Sequence, residues 1–194
     1  LKIDVSDETL RSAFEELAFK LERPAEIIAL YEESLKEVED DALRHDLLKR
    51  VADIQENVLQ DSSKAIAAYR KMLEIDDSDR ETLDQLESLY TNEQNWTELI
   101  DILKRKSDIG TGDEKVDILR KMATINCDCI SDTKAAIVCY QEILENVSDD
   151  MDALNALESL YSQTEDWEHL SDNYGIKLQL ATDDDSKRAI LREM

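Results

Sequence analysis

Apolar side chains recur along this chain three and four positions apart. Leu83, Leu86, Leu89 and Tyr90 form one such stripe, and Trp96, Leu99, Ile100 and Leu103 form the next. A helix turns once every 3.6 residues or so and brings those positions onto one face, so each stripe predicts an amphipathic helix. Polar breaks such as Thr91 to Asn95 separate the stripes. Ser62 or Ser63 and Thr133 stand where other runs begin, and a hydroxyl there can accept from a free backbone N–H as an N-cap. The pattern predicts helices over 7–21, 24–37, 41–58, 63–74, 80–93, 96–107, 113–128, 133–145, 150–164, 167–180 and 185–194. Short connections make neighbouring helices antiparallel. The expected fold class is all-α, built from antiparallel helix pairs.

The stripes are copies of one another. Leu86-Glu87-Ser88-Leu89-Tyr90 recurs further along as Leu157-Glu158-Ser159-Leu160-Tyr161. The same offset carries Trp96 onto Trp167, Ala65 onto Ala136, Tyr69 onto Tyr140, Leu48 onto Leu119 and Ala52 onto Ala123. Ile190, Leu191 and Met194 start a third copy, one period and one extra position after Ile118, Leu119 and Met122. Phe14, Leu17, Ile27 and Tyr31 read as a diverged half copy, the same distance before Leu86, Leu89, Leu99 and Leu103. Each period holds four helices, or two pairs of about 35 residues. A single pair leaves apolar faces open on both sides, so only stacking can bury them.

These residues resemble the tetratricopeptide repeat, a helix–turn–helix unit of about 34 residues with bulky and small side chains at set places. In the pair from 41 to 79, Val51 and Ala52 take the large and small positions of the first helix, and Ala65 and Tyr69 the small and aromatic positions of the second. Met122, Ala123, Ala136 and Tyr140 take the same places in the pair from 112 to 150. In the pairs from 80 and from 151, Leu86 and Leu157 are the large residues, Tyr90 and Tyr161 the aromatic ones, and Trp96 and Trp167 open the second helices. There are departures. Glu87 and Glu158 stand where the family has a small residue, Leu99 and Leu170 where it has alanine, and Asp77 and Ser148 where it has a closing proline. The pairs from 80 and 151 are therefore expected to pack less closely. The two-pair period is similar to the long acidic arrays of some bacterial multidomain proteins.

The resemblance implies a right-handed superhelical array, or α-solenoid, of about eleven helices, continuous as one domain over 1–194. Its pairs would lie at 7–37, 41–74, 80–107, 113–145 and 150–180, with a further repeat starting at 185–194. It also implies a partner held on the concave wall that the first helices line. Helical spacing turns Asp46, Lys49 and Asp53 away from the core, then Asp84, Ser88 and Thr91, then Asp117, Arg120 and Thr124, and finally Asp152, Asn155 and Ser159. The Lys and Asn clamp with which some tetratricopeptide domains grip an acidic tail is not evident. An extended or basic peptide suits this wall better. Tyr69, Tyr90, Tyr140, Tyr161, Trp96 and Trp167 are read as contacts between pairs.

Composition and charge narrow the functions. The chain has 3 Gly and 1 Pro, against roughly 14 and 10 in average sequence of this length, which fits helices joined by short polar turns. A net charge of −24 repels phosphate backbones and anionic headgroups, so no nucleic-acid partner is expected. No apolar run approaches the ~20 residues of a membrane span, so no direct membrane insertion is expected. The acidic clusters at 39–41, 76–79, 149–150 and 183–185 are read as caps at turns between pairs. A calcium loop would need a glycine that Asp77-Ser78-Asp79 lacks. Cys127, Cys129 and Cys139 are read as reduced thiols, since three is an odd number and no fourth ligand for zinc is near in sequence. There is no Gly-rich phosphate loop and no His-Glu-x-x-His, and His45 and His169 are read as solvent-facing.

Catalytic, cofactor and metal residues are therefore expected to be none. The start at Leu1 and the end inside a helical run predict a piece of a larger protein, and either a cytoplasmic or a periplasmic address fits. The leading reading of function is a protein–protein interaction scaffold binding a peptide or protein. The alternative is a structural spacer or regulatory arm of a multidomain protein, self-associating through terminal helices such as the one carrying Ile190, Leu191 and Met194.

Overall fold

The computed structural model describes residues 4–194 and is helical. Its helices are α1 (Glu8–Lys20), α2 (Pro24–Ser34), α3 (Asp41–Asp53), α4 (Ser62–Leu73), α5 (Arg80–Asn92), α6 (Trp96–Ile109), α7 (Asp113–Ile125), α8 (Thr133–Asn146), α9 (Met151–Gln163), α10 (Trp167–Leu180) and α11 (Asp184–Glu193). The sequence reading carried the third and seventh helices on to 58 and 128. There the chain instead widens into π turns, Ile54–Val58 and Asn126–Ile130, so the helical path continues at a looser pitch.

The N-caps show why each helix starts where it does. Eight helices open on an aspartate whose carboxylate accepts from backbone N–H groups of the first turn: Asp7, Asp40, Asp61, Asp79, Asp132, Asp150, Asp166 and Asp183. The acidic clusters are thus caps, as read. Ser62 and Thr133 are not. Asp61 and Asp132 stand just before them and do the capping, through Lys64 N at 3.1 Å and Ala135 N at 3.0 Å. A carboxylate satisfies the orphan donors and complements the helix dipole as well, which a hydroxyl does less strongly.

The helices form two compact units, one ending at Gln94 and one beginning at Asn95. In the first, each of α1 to α5 packs on the next, around Ile27, Tyr31, Leu47, Met72, Leu83 and Leu86. In the second, each of α6 to α11 packs on the next, around Leu99, Leu103, Leu119, Ile143, Leu154 and Leu157. Tyr69, Tyr90 and Tyr161 are buried, as their role between helices requires. Trp167 departs from that role: it is 62% exposed.

With so few glycines, the turns use other residues in left-handed backbone. Glu22, Gln94 and Glu165 have φ of 57°, 54° and 56°, and Gln60 and Ser131 have 54° and 62°. Both sets follow the sequence repeat. Their turns are closed by backbone bonds such as Asp166 N to Tyr161 O at 2.9 Å and Asp61 N to Gln55 O at 2.8 Å, the pattern that ends many helices. A side chain at such a φ costs about 1 kcal/mol that glycine avoids. Glu165→Gly is therefore expected to raise stability by about 0.5 kcal/mol after its greater unfolded-state entropy is counted, read as a higher midpoint in urea.

Candidate functional site

The first helices of the pairs carry the sequence-predicted wall: α1, α3 and α5 in the first unit, α7 and α9 in the second. Ion pairs run from one first helix to the next. Arg11 on α1 reaches Asp46 on α3 at 3.2 Å, and Arg50 on α3 reaches back to Glu15 at 3.0 Å. Lys49 on α3 reaches Glu81 on α5 at 2.7 Å. Arg120 on α7 reaches Asp150, the cap of α9, also at 2.7 Å. Lys49 and Arg120 are one repeat apart, so a cation recurs at this place, although their acceptors Glu81 and Asp150 are not repeat counterparts.

Three predicted wall residues, Asp46, Lys49 and Arg120, are thus engaged in holding first helices together. Thr124 returns its hydroxyl to Arg120 O at 3.0 Å. The others present exposed side chains: Asp53, Asp84, Ser88 and Thr91 in the first unit, Asp117, Asp152, Asn155 and Ser159 in the second. Partial desolvation raises the Asp53 carboxyl above the usual range against the pull of Lys49, with Glu56 and Glu81 adding repulsion. Asp53, Glu56 and Glu81 thus gather here around one cation, Lys49.

Both histidines belong to caps. His45 Nε2 lies 2.9 Å from Asp79 Oδ2 and is partly buried, not simply solvent-facing as read from the sequence. His169 is exposed, pairs with Asp166 at 2.8 Å and stacks on Tyr161. For Asp79, burial pushes the carboxyl up, but the Thr82 hydroxyl and His45 outweigh it and hold it below the usual range. For Asp150, burial is likewise outweighed, by the Ala153 N–H and Arg120. Carboxyls lowered in the fold contribute stability above their unfolded pKa, and that contribution is lost as pH falls through the folded value. Stability is thus expected to drop below about pH 4. Asp150→Asn should make that drop shallower in acid titrations followed by circular dichroism.

The departure at Glu158 has a structural cause. Glu158 accepts from the Tyr174 hydroxyl at 3.1 Å and pairs with the buried Lys177. Glu15 is two repeats earlier and has equivalent company, bonded to Tyr31 and to Arg50. The family's small residue has been exchanged here for a carboxylate with phenol and cation partners, a substitution whose signal lay in the matching Glu and Tyr spacing.

The thiols are free, and burial pushes Cys139 up to about 11. Such a thiol is unreactive at neutral pH. Among the described residues no group of three side chains could hold a metal ion, and no helix is long and apolar enough to cross a membrane.

A family model for the tetratricopeptide repeat matches residues 82–116. No curated protein matches the sequence significantly. Among solved structures, one of MamA is 16% identical over 88% of this chain and 90% of its own, with a TM-score of 0.45. A MamA fragment from Desulfovibrio magneticus RS-1 is 11% identical over 90% and 94%, with a TM-score of 0.43. YrrB, described as a TPR protein with an unusual peptide-binding site, is 17% identical over 77% and 73%, with a TM-score of 0.42. Likeness at this level leaves the function to be argued from the chain's own residues. The matched repeat, the tandem helix pairs and the recurring four-helix period together make this chain a tetratricopeptide-like helical repeat protein.

Proposed function

We propose that this chain is a protein–protein interaction scaffold that holds an extended, basic segment of a partner along its first helices. The observation that carries this reading is the row of exposed polar positions that recurs on those helices. In the first unit that row is Asp53, Asp84 and Ser88; in the second it is Asp117, Asn155 and Ser159. Its charged members are all acidic, and a carboxylate already raised by desolvation and by its neighbours gains from a cation. The reading involves no catalytic residue and no cofactor. A spacer or regulatory arm is the second reading. The engagement of Asp46, Lys49 and Arg120 between first helices favours it, because those residues stiffen the stack.

The test is a titration with a short extended peptide of alternating Lys and Ser, beside its Glu counterpart. The basic peptide is expected to bind, more weakly at high salt. The combined Asp53→Lys, Asp84→Lys and Asp117→Lys variant should lose about tenfold in affinity. Asp46 is left untouched because its loss would disturb Arg11 and Arg50. Equal binding by the variant, or no preference between the peptides, would overturn the groove reading and leave the spacer.

A further inference from the structure

The second unit holds a groove of about 510 Å³ between its second helices α6 and α8, floored by α7. Ile100, Leu119, Met122 and Val138 give it apolar walls. Ser107 and Asn126 line it too, although each is only 4% exposed. Side chains buried so deeply normally find partners inside the protein. Here the Asn126 amide reaches only Cys139 Sγ, at 4.0 Å, and the Ser107 hydroxyl has no partner among the described residues. Both face the groove.

The first unit provides an internal comparison. It has a groove of equal volume, with Leu48 in the place of Leu119. There Glu32, Lys36 and Lys71 stand where the second groove has Lys104, Asp108 and Glu142, so the charges are reversed. Leu35 stands in place of Ser107, and Ala67 and Ala68 in place of Val138 and Cys139. Packing demands are shared by the two units. They do not explain why the second alone combines larger apolar walls with a buried Ser107, whereas the buried Gln55 of the first unit stands where the second has Asn126.

We propose that the groove between α6 and α8 docks an amphipathic helix of a partner protein, one that presents bulky aliphatic side chains flanked by Lys or Arg. The rim specifies the charge: Asp108, Asp132 and Glu142 border it against Lys104 alone. The apolar surface continues along the outside, where Val138 is 51% and Ile130 38% exposed. A surface that runs past its cavity fits a segment lying along it, with aliphatic anchors at helical spacing in the groove. A polar group on that segment would meet Ser107 and Asn126. This surface is independent of the first-helix wall.

The experiment is an amide NMR titration of the whole chain. The probes are a synthetic helical peptide with Leu at positions one turn apart and Lys around them, and its Glu counterpart. The Lys peptide is expected to shift amides of α6, the 126–130 turn and α8. Val138→Asp, a change at a half-exposed position, should weaken it about tenfold. Glu142→Lys with Asp108→Lys on the rim should reverse the preference toward the Glu peptide. The wall variant with lysine at 53, 84 and 117 should bind as the unaltered chain does. Shifts confined to first-helix faces, equal binding of both peptides, unaltered binding by Val138→Asp, or no binding at millimolar peptide would each overturn the proposal.

Discussion

Glu158→Ala is expected to destabilise the protein by about 3 kcal/mol, far more than deletion of a surface carboxylate. Lys177 is the reason. Its side chain is 8% exposed and Glu158 is its ion-pair partner. Removing the carboxylate leaves an ammonium in a site that water barely reaches, and a buried charge without a partner is costly. Tyr174 loses its acceptor at the same time. Replacing both members, as Glu158→Leu with Lys177→Met, removes the charge along with its need and should return stability to within about 1 kcal/mol of the starting protein. Urea unfolding of the three proteins separates the cases. If the double variant is as unstable as the single one, shape and not charge is what the site demands.

The helix stripes were legible because burial and helical periodicity coincide in them. Leu83, Leu86, Leu99 and Leu103 were placed on core faces by spacing, and they are buried. Aspartate and hydroxyl N-caps are harder to separate. Asp61-Ser62 and Asp132-Thr133 offer two candidates side by side, and only backbone geometry decides which one lies outside the helix. The wall was half legible. Spacing shows which side of a helix a residue occupies but not what the neighbouring helix brings to it. Asp46, Lys49 and Arg120 looked unengaged because their partners Arg11, Glu81 and Asp150 belong to other helices or their caps, remote along the chain. The sequence makes Trp167, like Trp96, a contact between pairs. An aromatic that opens a helix has fewer neighbours than one in the middle, and this one faces solvent. The groove between α6 and α8 left one faint trace, Ser107 standing at the repeat position of Leu35 inside an otherwise apolar stripe.

Leu89→Ala and Leu160→Ala are each expected to cost about 3 kcal/mol, while Leu17→Ala should cost under about 0.5 kcal/mol. The three leucines occupy one repeat position, so sequence alone treats them alike. Leu89 is 5% exposed and Leu160 8%, but Leu17 is 55% exposed. The neighbouring helices differ. α4 packs on α5 and α8 packs on α9, whereas among the described residues no helix precedes α1 to take that place. Truncating a buried leucine forfeits its transfer free energy and leaves a cavity whose lining loses contacts. Truncating an exposed one forfeits little, because water already covers much of it. Urea midpoints of the three variants give the comparison directly. A cost at Leu17 equal to that at Leu89 would mean that helix propensity, not stacking, sets the stability of each pair. Nearly equal costs at Leu89 and Leu160 would show that the four-helix repeat copies energetics as well as sequence, since each leucine is then stabilised by the same kind of neighbouring helix.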